Sequence, residues 1–159
     1  VRSALVLGPN EDGKQIIKMV EKNFPLIGNG KNFWQIVFVN DLVDALVFLL
    51  NNDNAIGETF IVAEEKPKTL LELVKIIRNE IGLDTNVKTM PVFLGIILAH
   101  VLTIYSKITK KPTLFLPEHV QRLVRQRHYS IEKIKSLGWR PKYSTEQGIK
   151  ETIQQLKVE

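Results

Sequence analysis

Val37-Phe38-Val39-Asn40-Asp41-Leu42-Val43-Asp44-Ala45 is the stretch that decides the fold. Trp34 to Val39 is rich in β-branched and aromatic residues, the composition of a strand. Asn40 is the expected cap of a helix running to about Leu50, with Asp41 and Asp44 near its positive end. A strand thus passes straight into a helix, and the rest of the chain repeats that alternation. Upstream, Ala4 to Leu7 reads as a short buried strand stopped by Gly8-Pro9. Residues 14–23 carry Ile16, Ile17 and Val20 on one helical face. Residues 25–30 read as extended, closed by Gly28-Asn29-Gly30.

Downstream, 51–57 is a polar turn and Glu58 to Ala63 a further strand. Thr69-Leu70-Leu71-Glu72 is a capping box, followed by a stripe at Leu70, Leu73, Val74, Ile77 and Ile81 and stopped by Gly82. Val87 to Met90 suits a short strand, Pro117 a helix start, and Ser130 the cap of a short helix ending at Leu137-Gly138. Ser144-Thr145-Glu146-Gln147 caps a last helix with Ile149, Ile153 and Leu156. The expectation is mixed α and β, helical in its second half.

A chain of 159 residues suits one domain with a real core. Zero cysteine removes disulfides and thiolate chemistry, and His100, His119 and His128 are too widely spaced for a histidine-rich metal site. No metal site is expected. The net charge of +5 is tilted: −2 over residues 1–60, +3 over 61–117 and +4 over 118–159. Val1-Arg2-Ser3 opens in mid-strand without an initiating Met or a secretory leader, so a portion of a longer protein is expected.

One ordered pattern covers residues 2–156: Arg2-Ser-Ala-Leu-Val-Leu-Gly8-Pro9, Gly28-Asn-Gly30, Val37-Phe-Val39-Asn-Asp41-Leu-Val-Asp-Ala45, Gly57-Glu-Thr-Phe-Ile-Val62, the capped helix from Thr69, Ser130-Ile-Glu-Lys133 and Leu137-Gly-Trp-Arg-Pro141. This resembles the C-terminal half of the extended short-chain dehydrogenase/reductases, the NAD-dependent epimerase/dehydratase and 3β-hydroxysteroid dehydrogenase-like proteins. The resemblance implies an α/β fold: the last strands of a Rossmann-type parallel sheet plus a smaller, mostly helical substrate-binding domain. Residues 1–159 are then a single unit, with 1–63 partly the last Rossmann strands and helices and 64–159 mostly substrate-side. The family's Gly-x-x-Gly-x-x-Gly turn, which brings dinucleotide phosphates to a helix N-terminus, has no match here. Its catalytic Tyr-x-x-x-Lys lies upstream of the segment matched by Arg2 to Pro9, so the N-terminal cofactor-binding half is absent and no catalytic residue is assigned. Tyr129-Ser-Ile-Glu-Lys133 fits that spacing, but Ser130 as a cap would leave Tyr129 outside the helix.

The cofactor implied is NAD or NADP, bound through the parent protein, with Ser3, Ala4 and Leu5 near the nicotinamide. The substrate side is assigned to Leu7 and Trp34, with Arg122 or Arg125 at the outer rim. Trp34 stands where sugar-nucleotide members carry an Arg for the diphosphate; Ser3, Leu5 and Leu7 replace residues around their substrate-site Asn. Losing a cation and an amide while gaining Leu and Trp points to a relatively apolar substrate, unless Leu5 and Trp34 are core residues. The implied activity of the parent is that of an NAD(P)-dependent epimerase/dehydratase or dehydrogenase acting on a carbonyl/alcohol pair, with this portion inactive alone. A non-catalytic binding or scaffold relative is the alternative.

Val92 to Tyr105 is apolar apart from His100 and Thr103, and at 14 residues makes about 21 Å of helix, short of a bilayer's roughly 30 Å. Lys107, Lys110 and Lys111 follow. A buried core helix is the expectation, with His100 in a core or pocket; peripheral membrane contact through 92–105 is the alternative. Residues 119–142 carry seven basic side chains against Glu132, which suits an anionic cofactor or substrate better than nucleic acid, since stacking aromatics are sparse. Expected partners are a small-molecule substrate and further copies of the chain, with no nucleic acid; the expected location is cytoplasmic, or membrane-associated.

Overall fold

A computed structural model describes residues 1–110 and 116–158, so Lys111 lies outside the described residues. The elements run β1 (Arg2–Ser3), β2 (Leu5–Leu7), α1 (Glu11–Glu21), β3 (Leu26–Ile27), β4 (Ile36–Phe38), α2 (Val39–Leu50), β5 (Ile61–Val62), α3 (Leu70–Glu80), β6 (Thr89–Met90), α4 (Val92–Thr109), α5 (Pro117–Val124), α6 (Glu132–Ser136) and α7 (Thr145–Val158). A single 3₁₀ turn covers Asp53–Ala55. The three strand pairs, β1–β5, β2–β4 and β3–β6, are all parallel. Parallel neighbours need helical crossovers, and α1, α2 and α3 fall between the paired strands. The α/β fold class expected from the sequence is therefore the observed one.

Two larger core clusters each draw on both ends of the chain. One joins Ala4, Val37, Ala45, Val62 and Ala63 to Ile131, Ile134 and Trp139. The other joins Leu7, Ile17, Val20 and Ile36 to Leu73 and Ile77 of α3 and Ile149 and Ile153 of α7. The period-3.6 stripes read from α3 and α7 are thus the faces that bury. A smaller third cluster, Ile27, Ala99 and Val120, holds α4 and α5 against β3.

The capping box at Thr69 forms as read, with the Glu72 amide donating to Thr69 Oγ1 at 3.2 Å and the Thr69 amide donating to Glu72 Oε2 at 2.7 Å. Ser144 and Gln147 make the same reciprocal pair at the start of α7. At α2 the reading needs correction: the helix starts at Val39, its cap is Phe38, and no side chain caps it. Asp41 and Asp44 turn to distant partners instead. Asp41 is buried and accepts from the Lys142 and Tyr143 amides at 2.8 and 3.1 Å. Asp44 accepts from the Trp139 indole at 2.9 Å and from Lys142 Nζ at 2.7 Å. These two carboxylates hook the Leu137-Gly-Trp-Arg-Pro-Lys142 loop onto α2. The lysine and the indole hold the Asp44 carboxyl below its ordinary value.

The second correction concerns α4. It has 18 residues rather than 14, about 27 Å of helix, long and apolar enough by length and composition to cross a bilayer. It is not a buried core helix: Gly95 and Ala99 alone are fully buried, and His100 is exposed. One face rests on the third cluster and the other is bare.

Candidate substrate groove

The turn Gly28-Asn29-Gly30 seeds the site. Both glycines hold positive φ, +81° and +65°. A Cβ at Gly30 would also overlap the side chains of Leu26 and Leu71, so glycine is required there. The turn docks on α3 through Leu71 N–H to Gly30 O, 2.9 Å, and Leu70 N–H to Asn32 O, 2.9 Å. Beyond it, residues 32–35 are stitched to the segment after α5. Asn32 Nδ2 donates to Leu123 O at 2.8 Å, and Gln126 Oε1 accepts from the Phe33 amide at 2.8 Å. The Arg127 amide donates to Phe33 O at 2.8 Å and the Gln35 amide to Arg127 O at 2.9 Å, a short parallel bridge at Trp34 and Arg127.

Between these two segments opens a shallow groove of about 300 Å³, lined by Gly28, Asn29, Lys31, Asn32, Val92, Val124 and Gln126. Its walls offer an ammonium, three carboxamides and two valines. That set suits a hydroxylated, partly anionic ligand with an apolar end.

Gln35, Glu64 and Thr145 form a buried polar group. Gln35 donates to Glu64 O at 2.6 Å and accepts from the Tyr129 amide at 2.6 Å. Glu64 accepts from the Ile36 amide at 3.2 Å and from the Thr145 hydroxyl. Burial pushes the Glu64 carboxyl above its ordinary value, against the opposing pull of these bonds and of Lys68. Every member is satisfied, so the group clamps residues 35 and 36 to Glu64, Tyr129 and Thr145.

Trp34 sits beside the groove but does not line it. Its indole N–H donates to Leu123 O at 3.2 Å, its body packs on the second core cluster, and the Arg127 guanidinium lies 4.4 Å from its ring centroid. Leu7 is a core residue at 6% exposure, packed in the second cluster. Ser3 is exposed on β1, Ala4 is buried with its amide donating to Val62 O, and Leu5 packs partly on the second cluster. Arg122 and Arg125 are exposed and line no part of the groove, though the Arg125 carbonyl takes a 3.3 Å bond from Asn32. Sequence reasoning did not single out Arg127, Gln35, Gln126 or Glu64. Arg127 stood inside the basic run, indistinguishable from its neighbours, because its partner is 93 positions away. Tyr129 and Lys133 do not form a catalytic pair: Tyr129 precedes α6, and Lys133 Nζ lies 2.6 Å from Glu58.

Asn10 caps α1, and Glu11 and Asp12 fill its first turn, so this helix start disfavours an anion.

Parallel strand pairs with helical crossovers, closed by a C-terminal loop hooked to the central strand–helix unit, define a Rossmann-like α/β protein of the epimerase and dehydratase class. A family model described as GDP-mannose 4,6 dehydratase matches residues 13–152, and the chain belongs to that family of NAD-dependent epimerases and dehydratases. The N-acetyl-α-D-glucosaminyl-diphospho-ditrans,octacis-undecaprenol 4-epimerase of Escherichia coli O157:H7 is 22% identical over 157 residues, 97% of this chain and 47% of the relative. The UDP-glucose 4-epimerase of Vibrio cholerae is 25% identical over 159 residues, 97% of this chain and 45% of the relative. Among solved structures, the dTDP-glucose 4,6-dehydratase of Bacillus anthracis in complex with NAD superposes with a TM-score of 0.67 at 22% identity, over 99% of this chain and 43% of the other. The chain spans about half the length of these relatives. Members of the family are NAD(P) proteins; other neighbours were solved with NAD or NADPH.

Proposed function

We propose that this chain is the substrate-side portion of an NAD(P)-dependent epimerase/dehydratase acting on an alcohol/carbonyl pair of a sugar-like substrate whose carrier is apolar. The observation that carries the reading is the groove between Gly28–Asn32 and the end of α5, whose lining combines Asn29, Lys31, Asn32 and Gln126 with Val92 and Val124. Asn29, Asn32 and Gln126 would orient hydroxyls, and Lys31 would meet an anionic group. The two valines in the groove's lining, Val92 and Val124, favour a carrier that is apolar. The name of the Escherichia coli relative joins a sugar, a diphosphate and a polyprenol, which supports that choice. The dinucleotide and the proton-transferring residue would be supplied outside these 159 residues, and the chain alone would be inactive.

The test is a titration of the chain, followed by tryptophan fluorescence, with N-acetylglucosaminyl-diphospho-polyprenol in detergent micelles and with UDP-N-acetylglucosamine. At least about tenfold tighter binding of the polyprenol form, a difference of about 1.4 kcal/mol, is expected. Equal affinity, or preference for the nucleotide, removes the apolar-carrier reading.

We also propose that copies of the chain associate in the cytoplasm or at its membrane surface. Support comes from α2, where Val43, Leu46, Val47 and Leu50, spaced as one helical stripe, are exposed.

A further inference from the structure

The outer face of α4 is the largest unexplained feature of the molecule. At 100° per residue, Phe93, Leu94, Ile97, Leu98, Val101, Ile104, Tyr105 and Ile108 fall within an arc of about 140°. All eight are exposed, from 39% at Leu98 to 76% at Ile108. The opposite face is packed, with Ala99 fully buried and Gly95 so close to Ile27 that a Cβ there would meet its side chain at 3.0 Å. An amphipathic helix in water turns its apolar face inward; α4 is apolar nearly all round and leaves a second apolar face exposed. A membrane-spanning helix would show lipid a full circumference, and α4 has only one free face. Its geometry is that of a helix lying in the plane of a bilayer surface.

Charge selects the occupant. No Asp or Glu occurs between Asp84 and Glu118, whereas Lys88, Lys107 and Lys110 lie in that interval and are exposed. His100 and Lys107 border the stripe on one side. A second copy of the chain docked face to face would bring cation against cation. An anionic headgroup layer accepts the lysines, and Tyr105 suits the water–lipid boundary.

We infer that the exposed face of α4 docks into the interfacial layer of an anionic lipid bilayer and holds the substrate groove at headgroup level. The link to the groove is Val92, the first residue of α4 and a groove wall. A lipid-carried substrate would then reach the groove without leaving the membrane; that consequence, unlike the docking, rests on the proposed function.

The test is flotation of the chain with vesicles of phosphatidylcholine alone and of phosphatidylcholine with about 30% phosphatidylglycerol. The chain should float with the anionic vesicles. Ile97→Asp combined with Ile104→Asp, both at exposed positions, should abolish flotation while leaving the circular dichroism spectrum unchanged. Lys107→Ala and Lys110→Ala should each weaken binding about fivefold. In a Phe93→Trp variant, the new indole should be quenched by brominated acyl chains. No flotation with either vesicle overturns the inference, as does equal binding to both. It is also overturned if the stripe mediates self-association instead, shown by a dimer in sedimentation that the double substitution dissolves without any vesicle binding. Failure of the micelle titration with intact flotation would remove the lipid-carried substrate and leave the docking standing.

Discussion

Replacing Asp41 should unhook the C-terminal loop more severely than any other single polar change. Its carboxylate is 2% exposed and accepts two backbone amides, Lys142 at 2.8 Å and Tyr143 at 3.1 Å. A hydrogen bond to a charged acceptor is worth about 1.5–3 kcal/mol, and an orphaned buried amide costs a similar amount. Asp41→Ala removes both bonds and should cost about 3–5 kcal/mol; Asp41→Asn keeps one acceptor and should cost about 2–3 kcal/mol. Asp44 makes as many contacts, but its side chain is 37% exposed, and solvent competes for them. After that discount, Asp44→Ala should cost about 1 kcal/mol. Urea unfolding followed by tryptophan fluorescence reads all three, because Trp139 lies in the hooked loop. The reasoning fails if Asp41→Ala costs less than about 1 kcal/mol, or no more than Asp44→Ala.

Three further outcomes are expected. Glu64 has a carboxyl raised by burial above 4.5, so its contribution to stability is present below that value and lost as pH rises through the folded value. Glu64→Gln should therefore gain on the natural chain between acidic and neutral pH in thermal melts; a gap that stays constant with pH would contradict this. Calorimetry of the chain with NAD or NADP should show no submicromolar binding, given the acidic first turn of α1, and tight binding would sink the claim. Sedimentation should show self-association that Val47→Asp with Leu50→Asp disrupts and that the α4 double substitution leaves intact; a monomer from the outset would refute the proposed pairing.

What the sequence made legible was local chemistry. Thr69 with Glu72, and Ser144 with Gln147, are three residues apart, so their reciprocal bonds depend on nothing outside one helical turn. Stripes on α3 and α7 were equally readable, because an apolar face flanked by charge has one place to go. Asn40 failed as a cap because strand β4 feeds the helix at Phe38 and leaves no free turn for a side chain to close. For α4, a run apolar nearly all round reads the same whether it is buried or bare, and only its neighbours decide. Arg127 was hidden for a related reason. Among Arg122, Arg125 and Arg127 nothing local marks the one whose backbone pairs beside Trp34.

Two of the motifs that carry the family resemblance turn out to be two sides of one contact. Asp41 and Asp44 belong to the strand–helix unit, and their partners Trp139, Lys142 and Tyr143 belong to the Leu-Gly-Trp-x-Pro loop, about a hundred positions later. Val37 and Ala45 share a core cluster with Ile134 and Trp139, so apolar packing and hydrogen bonding close the same seam. This pair of motifs therefore specifies how the chain folds back on itself and says nothing about what it binds. On the function proposed above, substrate choice would fall to residues outside that seam: Asn29, Lys31, Asn32 and Gln126 in the groove, and the bare face of α4, whose first residue, Val92, lines it. A chimera bearing the groove and α4 of a nucleotide-sugar relative on this seam should change ligand and lose vesicle binding while unfolding at the same urea concentration. The reverse exchange, of the seam alone, should alter stability and leave both kinds of binding as they were.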